Sequence, residues 1–246
     1  MSMWRKLRDS WPSAFGELLI IIIGVLVSLA IDQWNDDRVD RATERLAISR
    51  IRTDIQSDME DFELRSRILD IKEDSLLRVR RALEIGSAND AEALLIDIID
   101  SANFGWNQGL AHRSTFDDLL GSGNLRIIQD PDIRLQIAEY YRSSDDEHIR
   151  TEERETPYPD LTYRLVPRGR SGIGDSGDFT SEGQLESGLS ERQLTELAAR
   201  ALESQLAEFV TAEINLGRFI QGVTVTLRSQ ALALSEQLEE YQASIQ

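Results

Sequence analysis

Cysteine is absent from this chain. Disulfides, thiolate zinc sites and thiol nucleophiles are excluded with it. Histidine occurs twice, at positions 112 and 148. Prolines number five, and aromatic residues make up 7% of 246 residues. Both scarcities favour helix over a β-sandwich. Positive charge is in short supply: 27 Lys and Arg stand against 44 Asp and Glu, a formal net charge of -17. Such a surface repels phosphate backbones, so nucleic acid is not an expected partner. It also keeps a folded domain soluble.

Long apolar runs are scarce as well. The clearest is residues 18–31, which no charge interrupts. Extended from Trp11 to Trp34, it is long enough at ~1.5 Å per residue for a membrane-spanning helix, with the two tryptophans at the interfaces. Glu17 then snorkels at one helix end. Gly24 and Ser28 form a small-xxx-small pair that permits close helix approach. The expectation is a tail at 1–13 and a transmembrane helix at 14–34. A secretory signal peptide is the rival, because Ser28-Leu29-Ala30 resembles a cleavage site. Basic residues flank the run on both sides: Arg5, Lys6 and Arg8 before it, Arg38, Arg41, Arg45 and Arg50 after it. The acidic Asp32, Asp36 and Asp37 directly after the run favour a domain outside the cytoplasm. The expected location is a bacterial inner membrane, single-pass, with the soluble domain in the periplasm.

From Asp37 to Glu84 no glycine or proline occurs. Ile48, Ile51, Ile55, Met59, Phe62, Leu69, Leu76 and Leu83 recur at steps of three, four or seven, the pattern of a long amphipathic helix that Gly86 stops. Asn89 or Asp90 can cap a short second helix. Ser114 and Asp117 suggest a capping box. Asn124 suits a left-handed turn after Gly121-Ser122-Gly123. Asp130-Pro131 marks a further helix start, running to about Glu155. Residues 156–189 hold three of the five prolines and six of the fifteen glycines, and are expected to be a loop with a short strand at 161–166. Ser190 and Gln193 form another capping box, opening a helix toward Ile245. Leu206, Phe209, Leu216, Ile220, Val223, Leu227, Leu234, Leu238 and Tyr241 keep a spacing near 3.5, and Gly217, Gly222 or residues 223–226 are candidate bends. The fold class is all-α. The transmembrane helix continues as a stalk into an elongated bundle of two long antiparallel helices, with residues 35–155 and 190–246 forming the bundle and the shorter elements at its distal end.

Residues 113–141 carry a distinctive pattern: Ser114-Thr115, Leu119, Ser122-Gly123-Asn124-Leu125, Ile133-Arg134 and Tyr140-Tyr141. Together with the apolar segment it resembles a family of uncharacterised bacterial single-pass membrane proteins. The resemblance covers about a fifth of the chain. It implies a retained anchor and no particular activity.

Patterns that carry chemistry fail on context. Gly172-x-Gly174-x-x-Gly177 lacks the strand and helix that a dinucleotide fingerprint requires. Asp175, Asp178 and Glu182 miss EF-hand spacing. His148 and Glu152 share a helix face, too few ligands for a metal. Gly121-Ser122-Gly123 is a turn, not a nucleophile elbow. No catalytic residue, metal or cofactor is therefore expected. The expected partners are a lipid bilayer and either a membrane protein or a second copy of the chain. The leading expectation is a non-enzymatic protein-binding module, an accessory subunit or homo-oligomeric scaffold. The alternative is an extracytoplasmic sensor of a small ligand that signals through a partner membrane protein.

Overall fold

The computed structural model describes residues 3–102, 111–167 and 188–245, with side chains on the first helix from residue 21 onward. Among these residues there are seven α-helices and no strand. Helix α1 (Met3–Ile85) runs 83 residues, about 125 Å at ~1.5 Å per residue. Gly86 ends it in a left-handed conformation, φ +72°, with its N–H on the Ala82 carbonyl. Glycine adopts that conformation without the Cβ clash other residues meet. The Asp90 side chain accepts from Ala93 N and caps α2 (Ala91–Ser101). Helix α3 (Ser114–Gly121), a 3-10 turn (Asn124–Ile127) and α4 (Pro131–Glu152) follow, then α5 (Tyr158–Leu165), α6 (Glu191–Leu202) and α7 (Leu206–Ser244).

Helices α1 and α7 pack antiparallel along most of α7. Arg52 reaches Gln242, Gln221 reaches Ser66, and Lys72 meets Glu213. The stripe expected on α1 is the one buried: Ile48, Ile51, Ile55, Phe62, Leu69 and Leu76 are at most 3% exposed. Leu206, Leu216, Ile220, Leu227, Leu234 and Leu238 answer it from α7, while Phe209, Val223 and Tyr241 are only partly buried. Each such side chain contributes on the order of 1.5–3 kcal/mol on burial.

Several expectations are corrected. Among the described residues, no helix is long and apolar enough to cross a membrane. In the sequence the uncharged apolar run is residues 18–31, fourteen residues bounded by Glu17 and Asp32, about 21 Å at ~1.5 Å per residue against a hydrocarbon core of ~30 Å. The single-pass inner-membrane location and the periplasmic placement fall with the span. The shorter helices do not gather at the distal end. Helices α3 and α4 lie beside the middle of α1, and only α2, α5 and α6 lie toward its C-terminal end. The start of the 156–189 segment is helix α5 where a loop and strand were expected. Tyr158, Thr162 and Val166, at four-residue intervals, are its buried side. The last helix is not continuous from Ser190. It breaks at Glu203–Gln205 and not at Gly217, Gly222 or 223–226. By the register of the α1–α7 pairs, Gln205 lies level with Ile85, so a straight continuation would run past the end of α1 with nothing beside it. The Ser204 hydroxyl holds the bend, donating to the Ala201 carbonyl at 2.6 Å and accepting from Leu206 N at 3.3 Å.

Candidate functional site

Two places gather the residues singled out in the sequence: a polar knot where α3 and α4 meet α1, and the free N-terminal part of α1.

The knot is organised by three α1 carboxylates. Asp58, 2% exposed, accepts from the His112 backbone N–H at 2.6 Å and from the Tyr140 hydroxyl at 2.7 Å. His112 Nδ1 lies 2.9 Å from the same carboxylate. Asp54 accepts from Thr115 N at 3.1 Å. Glu44 accepts from Gln129 N at 2.6 Å and from the Tyr241 hydroxyl at 2.5 Å. The first N–H groups of a helix have no intrahelical partner. Here Asp54 supplies one across the helix interface, and α3 has no side-chain cap of its own. The capping box expected at Ser114 and Asp117 is thereby corrected: Ser114 is exposed, and Asp117 pairs with Arg113 at 3.0 Å. Burial pushes the Asp58 carboxyl above the ordinary aspartate range, while the donors from His112 and Tyr140 pull it down. Burial, then the carboxylates nearby, push the Tyr140 and Tyr141 phenols well up.

The remaining motif residues build the same knot. Tyr141 stacks on Phe116 with centroids 4.5 Å apart, meets Tyr140 edge-on, and donates to the His112 carbonyl. Arg134 donates to the Ile128 and Gln129 carbonyls, closing the turn that starts α4. Leu119, Leu125 and Ile133 pack on the core beside it. The Ser122 hydroxyl donates to the Asp118 carbonyl. Gly123 takes the left-handed conformation, φ +70°, and not Asn124, which opens the 3-10 turn. Sequence reasoning missed Asp54, Asp58 and Glu44, which sit in a helix rich in carboxylates and carry no local mark of their partners.

The second place is the α1 arm. Packing against the rest of the chain starts at Glu44. Before it, Ile21, Ile22, Ile23, Val25, Leu26, Val27, Leu29, Ile31 and Trp34 are 47–64% exposed. They cover every face of the helix, not one stripe. Gly24 has no neighbour within 4 Å of where a Cβ would stand, Ser28 is exposed, and Arg38 lies over the Trp34 ring. The Trp11 and Glu17 side chains lie outside the described residues, as do Gly172-x-Gly174-x-x-Gly177, Asp175, Asp178 and Glu182.

His148 pairs with Glu152 at 3.2 Å, and among the described residues no group of three or more His, Asp or Glu converges as a metal site would require. A half-open groove of about 480 Å³ runs between α1 and α7, lined by Met59, Phe62, Val225 and Leu232 and crossed by Glu63 and Arg228 at 3.6 Å. No protein-family model matches the chain, and no curated protein or solved structure resembles it at a significant level. The family resemblance therefore rests on the motif residues and the apolar segment alone, and the motif residues gather where α3 and α4 meet α1.

Proposed function

We propose that this chain is a non-enzymatic helical protein-binding module, an accessory subunit or homo-oligomeric scaffold, that engages its partner through the α1 arm. The observation that carries this reading is the arm's all-round apolar surface. Eight aliphatic side chains over residues 21–31 stand about half exposed or more. They offer on the order of 800 Å² of apolar surface, above the ~300–600 Å² patch of an ordinary monomer and close to one side of a standard interface. A helix that is apolar on every face is one that something surrounds. The buried ionisable groups support the non-enzymatic part of the reading. Glu44, Asp58, Lys72 and Glu213 are all buried, each sharing a hydrogen bond with another helix.

The test is sedimentation of the full chain in detergent-free buffer, alone and after co-purification from its source, beside the variant Ile23→Asp/Val27→Asp. The expected result is a defined oligomer or a stoichiometric partner, lost in the variant, with unchanged helicity. A wild-type monomer that takes no protein partner and instead enters lipid vesicles would overturn the reading.

A further inference from the structure

The core of the bundle is not continuous. Ile48, Ile55, Phe62, Tyr140, Leu227 and Leu234 belong to one apolar cluster, with α3 and α4 packed on it. Leu76, Leu95, Ile98, Tyr158, Leu206 and Ile214 belong to another, with α2, α5 and α6 packed on it. The clusters share no residue. Substantial packing joins α3 and α4 only to α1, to α7 and through the 3-10 turn, while α2, α5 and α6 pack among themselves and on α1 and α7.

Between the clusters lies a polar layer. Lys72 on α1 is 1% exposed and Glu213 on α7 is 0% exposed, with Nζ and Oε1 2.5 Å apart. The other Glu213 oxygen accepts from the Thr156 hydroxyl, just before α5. The Lys72 stem lies over Gly217, where an added Cβ would stand 3.8 Å from Cε. Toward the first cluster the layer is followed by a small apolar group, Leu69, Leu216 and Ile220, separate from both blocks.

We infer that this Lys72–Glu213–Thr156 layer is a built-in hinge, at which α2, α5 and α6 open as one unit while α3 and α4 stay docked. The physical reason is the difference in what opening exposes. Separating an apolar layer creates unfavourable water contact. Separating a buried ion pair returns two charges to the solvent that burial took from them, so the layer resists opening less than an apolar one of the same size. Two apolar blocks joined through such a layer are separate cooperative units, and such units often follow supersecondary boundaries. Thr156 makes the layer a latch for α5, because its bond to Glu213 ties the segment entering α5 to α7. The Tyr158 hydroxyl and Ser101 Oγ, 2.8 Å apart, then tie α5 to α2.

Native-state hydrogen exchange of the full chain, read by mass spectrometry, tests this. In the wild type, α2, α5 and α6 should exchange through one shared opening, well before α3 and α4. In Lys72→Met/Glu213→Leu the layer becomes apolar, and exchange in α2, α5 and α6 should slow by tenfold or more, toward the rate of α3 and α4. In Glu213→Gln, which leaves Lys72 buried without its counter-charge, exchange in α2, α5 and α6 should speed up by on the order of a hundredfold, with α3 and α4 unchanged. If Glu213→Gln prevents folding, the double variant decides alone. One common exchange rate across both blocks in the wild type would overturn the hinge. So would a double variant whose α2, α5 and α6 exchange as fast as the wild type.

Discussion

Asp58→Ala is the sharpest probe of the knot. The substitution removes the acceptor of the His112 backbone N–H and of the Tyr140 hydroxyl. Tyr140 is 4% exposed, so water does not readily replace the carboxylate there. Each donor left without a partner in a buried site costs about 1–3 kcal/mol. Part of this is returned, because the carboxyl itself is held in an environment that disfavours its charge. The net expectation is a loss of about 3 kcal/mol, a large share of the ~5–15 kcal/mol that holds a domain together. Asp58→Asn should lose only about 1 kcal/mol. Its carbonyl still accepts from His112 N, and the Tyr140 oxygen can accept from its amide. Urea unfolding followed by far-ultraviolet circular dichroism measures both, and the m-value should stay constant because the surface exposed on unfolding is the same. Asp58→Ala within about 1 kcal/mol of the wild type, or Asp58→Asn as damaging as Asp58→Ala, would refute the role given to this carboxylate.

An alkaline titration tests the phenols. Burial raises Tyr140, Tyr141 and Tyr158, and Tyr241 is pushed up to about 12. A phenol whose pKa is raised in the fold keeps its proton after the unfolded chain has released it, so this part of the stability is lost as pH rises through and above 10. Phenolate absorbance of the folded protein should show these four tyrosines silent at pH 10.5, with Tyr241 ionising toward pH 12; the four titrating together near pH 10 would contradict the burial. Two glycines give a matched pair. Gly86→Ala should destabilise by about 1 kcal/mol from left-handed strain alone, since no atom lies within 4 Å of the new methyl. Gly222→Ala, in the middle of α7 and equally open, should stabilise by about 0.5–1 kcal/mol. Thermal unfolding reads both, and the same sign for the two would show that backbone conformation is not what separates them.

The long helices were legible because their signals are local and periodic. The seven-residue recurrence from Ile55 through Phe62, Leu69 and Leu76 names the buried stripe, and Asp90, Asp130 and Ser190 cap the helices they were expected to cap. What was illegible is non-local. Nothing around Asp58 says that it faces a backbone N–H 54 residues away. Ser114 and Asp117 have cap-like spacing, yet Asp54 from another helix takes the work. Helix α5 was hidden by its flanking prolines and glycines, although Pro159 near its start is compatible with a first turn. The break before Leu206 follows from where α1 ends, which a window on residues 190–245 does not contain. The candidate site divides in the same way: the motif residues were visible as a pattern, but their carboxylate partners were not.

The arm and the bundle follow opposite rules within one helix. From Glu44 onward α1 is amphipathic, and the stripe from Ile48 through Ile55, Phe62 and Leu69 to Leu76 is buried in the bundle while Leu46, Ile71 and Ile85 stay exposed. Before Glu44 the apolar positions fall on every side, and α7 does not reach them, because its C-terminal turn lies level with Arg45, whose guanidinium donates to the Ile245 carbonyl at 3.2 Å. Covering one stripe with another helix would leave the rest of the arm in water. A surface of that kind has little use inside this fold, and in the proposed reading a partner covers it. The bundle gains something from the arrangement: the register that places Arg45 against Ile245 also places Lys72 against Glu213, so a pull on the arm and the state of the hinge act through the same α1–α7 seam. The arm and the Lys72–Glu213 layer therefore lie on the same pair of helices, at opposite ends of that seam.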